Sequence, residues 1–208
     1  MIVLVRHGQA SWGAADYDLL SPLGEVQSGT VGTALAGLTP DVVVHGSLTR
    51  QRQTAELALK ASGWSCPVEC DPDWDEMDAD ALLAATQRPF EGEPDPAQFQ
   101  QWFEAATDRW TAGVHDHEYD ESYPMFRNRV LAALRRLGQG RDAVVFTSGG
   151  PIAVVVTELL EAGVVTHTRL APVVVNTSVT RVLNGRRGLT LLTFNEHTHL
   201  PLDQLTYR

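Results

Sequence analysis

The sequence predicts an α/β fold, a three-layer α/β/α arrangement around a mostly parallel sheet with an antiparallel edge and an inserted helical subdomain. Three observations carry this. Short continuous runs of β-branched residues and leucine recur, each leading into a helical pattern, as strands buried on both faces require. A long acidic stretch with aromatic residues at helical spacing interrupts that alternation. Near the end, two apolar runs flank a glycine-containing turn, the mark of a hairpin at a sheet edge.

The elements follow in order. Ile2–Val5 is the first strand, closed by Arg6. Ser21 followed by Pro22 is a cap with proline at the first helical position. Leu23, Val26, Val31, Leu35 and Leu38 then recur at near-helical spacing until Pro40. Val42–Val44 is the second strand. Ser47 is expected to cap the next helix, whose apolar face would be Leu48, Ala55, Leu57 and Leu59 before Gly63. From Glu69 to Glu121 there are 16 acidic residues against Arg88 and Arg109, a net charge of -14 that leaves +4 for the remainder. Phe99, Trp102, Phe103 and Trp110 share one helix face within it. Tyr123–Leu137 is a further helix, with Phe126, Val130, Leu131 and Leu134 inward. Ala143–Phe146 is the third strand. It enters Thr147-Ser148-Gly149-Gly150-Pro151 and a helix from Ile152 to Leu160. Val173–Leu183 and Leu189–Phe194, separated by Asn184-Gly185 and two arginines, complete the hairpin. The domain expectation is one domain over 1–208 with an acidic helical insertion at about 75–140.

Composition narrows the function classes. The chain has 208 residues, 43% hydrophobic and 20% charged, enough apolar mass for a core. Its net charge of -10 opposes attraction to phosphate backbones and anionic lipid, so neither nucleic acid nor membrane is an expected partner. The first apolar run lacks a basic lead-in and a cleavage site, which makes a cytoplasmic location the expectation. Oligomeric state stays open. Cys66 and Cys70 are too few for a disulfide scaffold. His115 with His117, and His197 with His199, lack third and fourth ligands at metal-binding spacing, so no metal and no cofactor are expected.

Ligands of α/β sheets bind beyond the carboxyl ends of strands. Three such ends hold chemistry here: Arg6-His7-Gly8-Gln9, His45-Gly46-Ser47-Leu48-Thr49-Arg50, and the turn Thr147–Pro151. Two guanidinium groups, an imidazole and a glycine-rich helix start suit an anion, above all a phosphoryl group. His7 is the candidate nucleophile, Arg6 and Arg50 stabilise the transferring group, and Glu76 is the candidate general acid. Gln9, Ser11, Ser148 and Gly149 are the candidate phosphate and substrate contacts. Trp12 and Tyr17 are read as packing residues, and His45 is placed to reach the pocket.

Arg6-His7-Gly8 followed by Leu19, Ser21, Gly24 and Gln27 resembles the start of the histidine phosphatase (phosphoglycerate-mutase-like) superfamily. Leu48-x-Arg50-x-x-x-Thr54-Ala55, Glu76, Phe126-x-x-Arg129-Val130, Asn176-x-Ser178-Val179-Thr180, Asn195 and His199-Leu200 continue the resemblance along nearly the whole chain. It implies a metal-independent phosphatase that hydrolyses a small phosphomonoester through a phosphohistidine on His7. Two alternatives are a weakly active or inactive relative that binds a phosphorylated ligand, and a phosphoglycerate-type mutase. The family usually carries a second catalytic histidine in a Ser-His-Gly turn. Ser148 stands in that place here. The -14 segment would favour small monophosphates over polyanions.

Overall fold

The computed structural model describes residues 1–11, 17–138 and 140–207. They form two compact units, Met1–Glu76 with Val130–Arg208, and Met77–Arg129. An insertion was expected over about 75–140; the second unit ends inside one helix, Tyr123–Leu137 (α5).

The larger unit is built on β1 (Ile2–Arg6), β2 (Val42–His45), β3 (Val68–Cys70), β4 (Ala143–Thr147), β5 (Val179–Gly185) and β6 (Gly188–Glu196), in the sheet order β3-β2-β4-β1-β5-β6. β3, β2, β4 and β1 run parallel, while β5 and β6 add antiparallel. The predicted α/β class with an antiparallel edge is therefore the observed one.

Burial on both faces explains why β1 reads as an unbroken apolar run. Val3 and Val5 join Val43, Val144 and Phe146 on one face, under Val31 and Leu35 of the first helix segment and Ala55 and Ala58 of the second. These helices are α1 (Pro22–Ala34) and α2 (Thr49–Ser62). Ile2 and Leu4 point to the other face and are fully buried, with α6 (Gly149–Leu159) packed on that side of β1. Each such side chain contributes about 1.5–3 kcal/mol of burial. Arg6 pairs with Thr147 and His45 with Phe146, so β1, β2 and β4 end level with one another. Their three exits lie side by side.

In the smaller unit, α3 (Ala79–Ala84) precedes α4 (Pro96–Thr111). Asp95 and Gln98 form a reciprocal capping box at the start of α4, which, with Pro96 in the first turn, fixes where the helix begins. Trp110, 1% exposed, meets Tyr123 edge-on at 5.2 Å and Phe126 at 5.4 Å, and its indole N–H donates to the Glu121 carbonyl. Arg129 grips Glu121 through two bonds of 2.6 and 2.9 Å.

Several sequence expectations are corrected. Ser47 does not cap α2. Its hydroxyl bonds the Asp75 carboxylate, and Leu48 is the capping residue, without a side-chain bond. The fully buried face of α2 is Gln51, Thr54, Ala55 and Ala58; Leu59 packs against the core while partly buried, Leu57 is only partly buried, and in α1 Val26 is exposed while Gln27 and Ser28 are buried. Both helices turn polar residues inward near their N-termini because that end faces the strand exits. The hairpin turns through the two expected arginines, Arg186-Arg187, with Gly188 at φ 103°, while Asn184-Gly185, expected in the connection, lies within β5. Asn184 is spent instead on the Gly138 carbonyl. Val173 belongs to a 3-10 turn, and the strand begins only at Val179. β3 and the helix Val164–Leu170 (α7) were not anticipated.

Candidate active site

β1 places His7 one residue beyond its last pair. The backbone there is held from all sides. His7 N–H donates to the Thr147 carbonyl at 2.8 Å, and the His7 carbonyl accepts from Asn176 Nδ2 at 3.0 Å and from Thr177 N–H at 3.3 Å. Thr177 adopts φ 57° to make this contact and another to the Arg6 carbonyl. Gly8 N–H donates to Thr54 Oγ1 at 3.0 Å. A Cβ on Gly8 would lie 2.4 Å from the Gly24 carbonyl oxygen, so only glycine lets the loop pass this close to α1.

The imidazole of His7 is 4% exposed. Its Nδ1 lies 2.7 Å from the Gly8 carbonyl oxygen, which can only accept, so Nδ1 carries the hydrogen and Nε2 keeps its lone pair. Arg50 Nε donates to that Nε2 at 3.3 Å. Burial first, then the Arg50 and Arg6 charges, hold the pKa of His7 well below the usual histidine value. The geometry presents a neutral, oriented imidazole with one nitrogen available.

Arg50 is anchored behind this contact. Asp18 accepts from Arg50 Nη1 at 2.6 Å and from Thr49 N–H at 2.7 Å, so one carboxylate orients the guanidinium and satisfies the first turn of α2. The ring of Tyr17 sits 5.6 Å from the guanidinium. Tyr17 is 44% exposed, a correction to its expected packing role. Arg6 donates through Nη1 to the carbonyls of Val174 and Tyr207, the latter at 2.9 Å. Burial lowers its pKa to about 10, with Glu76 opposing the shift. Its Nε is buried with no partner among the described residues. A cationic N–H left unpaired in the interior is costly unless an anion completes it.

Glu76 reaches the start of α6, where its Oε2 accepts from Gly150 N–H at 2.9 Å. That amide was expected to be open to a ligand, and it is occupied by the carboxylate. A Cβ placed on Gly149 would be 3.9 Å from Arg6 Nε and 2.9 Å from the Ala171 carbonyl oxygen, which puts the glycine turn against Arg6. Ser148 is fully buried, and its hydroxyl oxygen accepts from Gln51 Nε2 at 2.9 Å.

The first-loop residues are tied to structure. Gln9 Oε1 accepts from the Ser21 hydroxyl at 2.8 Å, and the Gln9 N–H donates to Gln27. Ser11 Oγ donates to the Leu20 carbonyl at 3.0 Å. Trp12 lies outside the described residues. His45 bonds the carbonyl of its neighbour Gly46 through Nδ1 at 2.6 Å. The arrangement thus joins His7 to Arg50 directly and ranges Arg6, Glu76, Ser148 and Gly149 along the adjoining strand exits. Sequence reasoning passed over Asp18, Gln51 and the backbone clamp from Asn176, whose partners lie far off in the chain and carry no local signal.

An oriented neutral histidine bonded by one arginine and flanked in sequence by another, at level strand ends, has the groups that phosphoryl transfer uses. The comparisons bear on which type. The profile of the histidine phosphatase superfamily (branch 1) matches residues 2–197, and the chain belongs to that superfamily. It is 33% identical over 109 residues to 2-carboxy-D-arabinitol-1-phosphatase of Triticum aestivum, an alignment covering 49% of this chain and 21% of that protein. It is 35% identical over 112 residues to a 2,3-bisphosphoglycerate-dependent phosphoglycerate mutase of Thermobifida fusca, covering 49% and 44%. The chain therefore spans less than half the length of these curated relatives. Similar solved structures include a phosphoserine phosphatase of Entamoeba histolytica in complex with phosphoserine (TM-score 0.68, 20% identity, 96% and 98% coverage). A mycobacterial glucosyl-3-phosphoglycerate phosphatase is similar too (TM-score 0.68, 22% identity, 94% and 99% coverage). These likenesses show the fold. Among the described residues no helix is long and apolar enough to cross a membrane.

Proposed function

We propose that the protein is a metal-independent phosphomonoesterase acting on a small phosphorylated metabolite through a phosphohistidine on His7. The observation that carries the reading is the state of His7, with Nδ1 hydrogen-bonded to Gly8, Nε2 deprotonated, and Arg50 against it. In the first step the Nε2 lone pair attacks phosphorus in line and the phosphorus–oxygen bond to the leaving group breaks. The leaving oxygen takes a proton from Glu76. In the second step water attacks the phosphohistidine, Glu76 takes its proton, and the nitrogen–phosphorus bond breaks to give inorganic phosphate and free His7. The 3.3 Å bond from Arg50 to Nε2 is long enough to be exchanged for a phosphoryl oxygen. The unpartnered Arg6 Nε supplies a second charged donor.

The substrate class rests on the relatives. Those named above are phosphatases and a mutase whose names specify small phosphorylated carbohydrates or acids, and one was solved with phosphoserine. A small phosphomonoester is the substrate that this company supports.

The test is turnover of an aryl phosphate and a panel of metabolite monophosphates in EDTA, with acid-labile phosphate on the protein measured after rapid quench. Wild type should turn over and carry label, and His7→Ala should do neither. Turnover that survives His7→Ala would overturn the nucleophile assignment. An inert wild type that still binds vanadate would identify a phosphate-binding relative instead.

A further inference from the structure

By the family resemblance Ser148 stands in place of a second histidine, and a serine hydroxyl has one hydrogen to give and two lone pairs to fill. Which partner takes the hydrogen decides whether the group can serve a phosphoryl oxygen. We propose that Gln51 is a positioning residue that fixes the Ser148 hydroxyl as a hydrogen-bond donor toward the transferring phosphoryl group. The inference rests on the phosphatase reading above.

The geometry gives Gln51 a fixed orientation. The side chain is fully buried, and Nε2 donates to Ser148 Oγ at 2.9 Å and to the Trp74 carbonyl at 3.2 Å. Both amide hydrogens thus have acceptors. Turning the amide over would set Oε1 against the Trp74 carbonyl, acceptor against acceptor, while Thr147 Oγ1 already donates to that carbonyl at 2.6 Å. Oε1 fits beside Gly46, where a Cβ would lie 2.0 Å away, and it has no partner among the described residues. An amide facing a serine with its nitrogen leaves the serine hydrogen pointing elsewhere.

Among the described residues the Ser148 hydroxyl has Gln51 as its one hydrogen-bond partner. Ser148 occupies the cap position of α6 yet makes no side-chain bond to the helix, because Glu76 takes the Gly150 N–H. On either side of Ser148 stand the site's own groups: Thr147 accepts from the His7 N–H, and the Gly149 Cβ position is 3.9 Å from Arg6 Nε. Arg50 and Gln51 are consecutive, so the first turn of α2 delivers one side chain to the His7 imidazole and the next to Ser148. A neutral donor held this way offers the bond of a histidine without its charge.

The test is a double-mutant cycle with Gln51→Met, Ser148→Ala and the pair, read by kcat and KM for an aryl phosphate and by vanadate affinity from calorimetry. Gln51→Met should lower kcat about 10-fold in the wild-type background, the scale of one neutral hydrogen bond, and change it less than twofold when Ser148 is already alanine. Gln51→Glu gives a second, nearly isosteric perturbation. Its carboxylate accepts the serine hydrogen, so kcat should fall further than with Gln51→Met, again only while Ser148 is present. Equal losses in both backgrounds would assign Gln51 a structural role and overturn the proposal while leaving the phosphatase reading intact. An enzyme that never turns over, yet shows the same non-additivity in vanadate affinity, would reject the phosphatase reading and keep the Gln51–Ser148 coupling. Additive effects on vanadate affinity, or no vanadate binding at all, would reject both.

Discussion

Gly29 and Gly32 lie one turn apart in α1, and alanine at the two positions should move stability in opposite directions. At both, alanine gains about 1 kcal/mol of helix propensity over glycine. At Gly29 nothing lies within 4 Å of an added Cβ, so that gain is realised. At Gly32 the Cβ would stand 2.5 Å from the Ala58 carbonyl oxygen, 2.7 Å from its Cα and 2.9 Å from its carbonyl carbon. Ordinary contact is about 3.5–4 Å, so α1 and α2 must separate by roughly 1 Å. The obstacle is helix backbone, which cannot rotate away as a side chain would. Overpacking of this kind costs about 1–3 kcal/mol, rigid backbone placing it in the upper half, so the net effect is a loss of about 1–2 kcal/mol. The two variants should then differ by about 2–3 kcal/mol. Urea unfolding followed by circular dichroism, with linear extrapolation, resolves that difference. A Gly32→Ala protein as stable as Gly29→Ala would refute the close-packing argument.

Two further outcomes are expected. Burial lowers the pKa of His167 to about 4, below the 6.5 of an unfolded histidine, so between those values the unfolded chain holds the extra proton and stability falls as pH drops. The slope from this one group is about 1.4 kcal/mol per pH unit, and His7 and His199 are shifted in the same direction. Urea midpoints measured from pH 7.5 to 4.5 should therefore decline less steeply in His167→Gln than in wild type, and equal slopes would contradict the assignment. Asp18→Asn keeps the shape of the anchor but removes the charge that holds Arg50, and kcat/KM for an aryl phosphate should fall about 10-fold with stability changed by under about 1 kcal/mol. An unaltered kcat/KM would show that Arg50 needs no such anchor.

The strands were legible because burial on both faces leaves a local trace, as Ile2–Val5 and Ala143–Phe146 illustrate. The polar stripes of α1 and α2 were not, since Gln27 and Thr54 turn inward to hold the loop after β1 and Gln51 to reach Ser148 and Trp74. Val26 and Leu57 followed the apolar rhythm and misled. Asn184-Gly185 carried the usual hairpin signal, but Asn184, within β5, donates to the Gly138 carbonyl, and the turn is confined to the two arginines that follow. At the site, Arg6, His7 and Arg50 could be placed because Arg6 ends β1, His7 follows it, and Arg50 opens the helix after β2. Asp18 and Gln51 matter only through side chains they meet 32 and 97 positions away, and no window of sequence displays such pairings.

Arg6 is held by the carbonyl of Tyr207, and buried Gln27 donates to Gln204 and Thr206, whose hydroxyl in turn bonds Asn176. The first strand's arginine thus completes its surroundings with residues some 201 positions further along the chain. During translation the sheet strands up to β4 can pair while this corner still waits for its last partners. Displacing residues 204–207 would imitate a lesion at Arg6, so a substitution in that stretch should be felt at the first strand's exit.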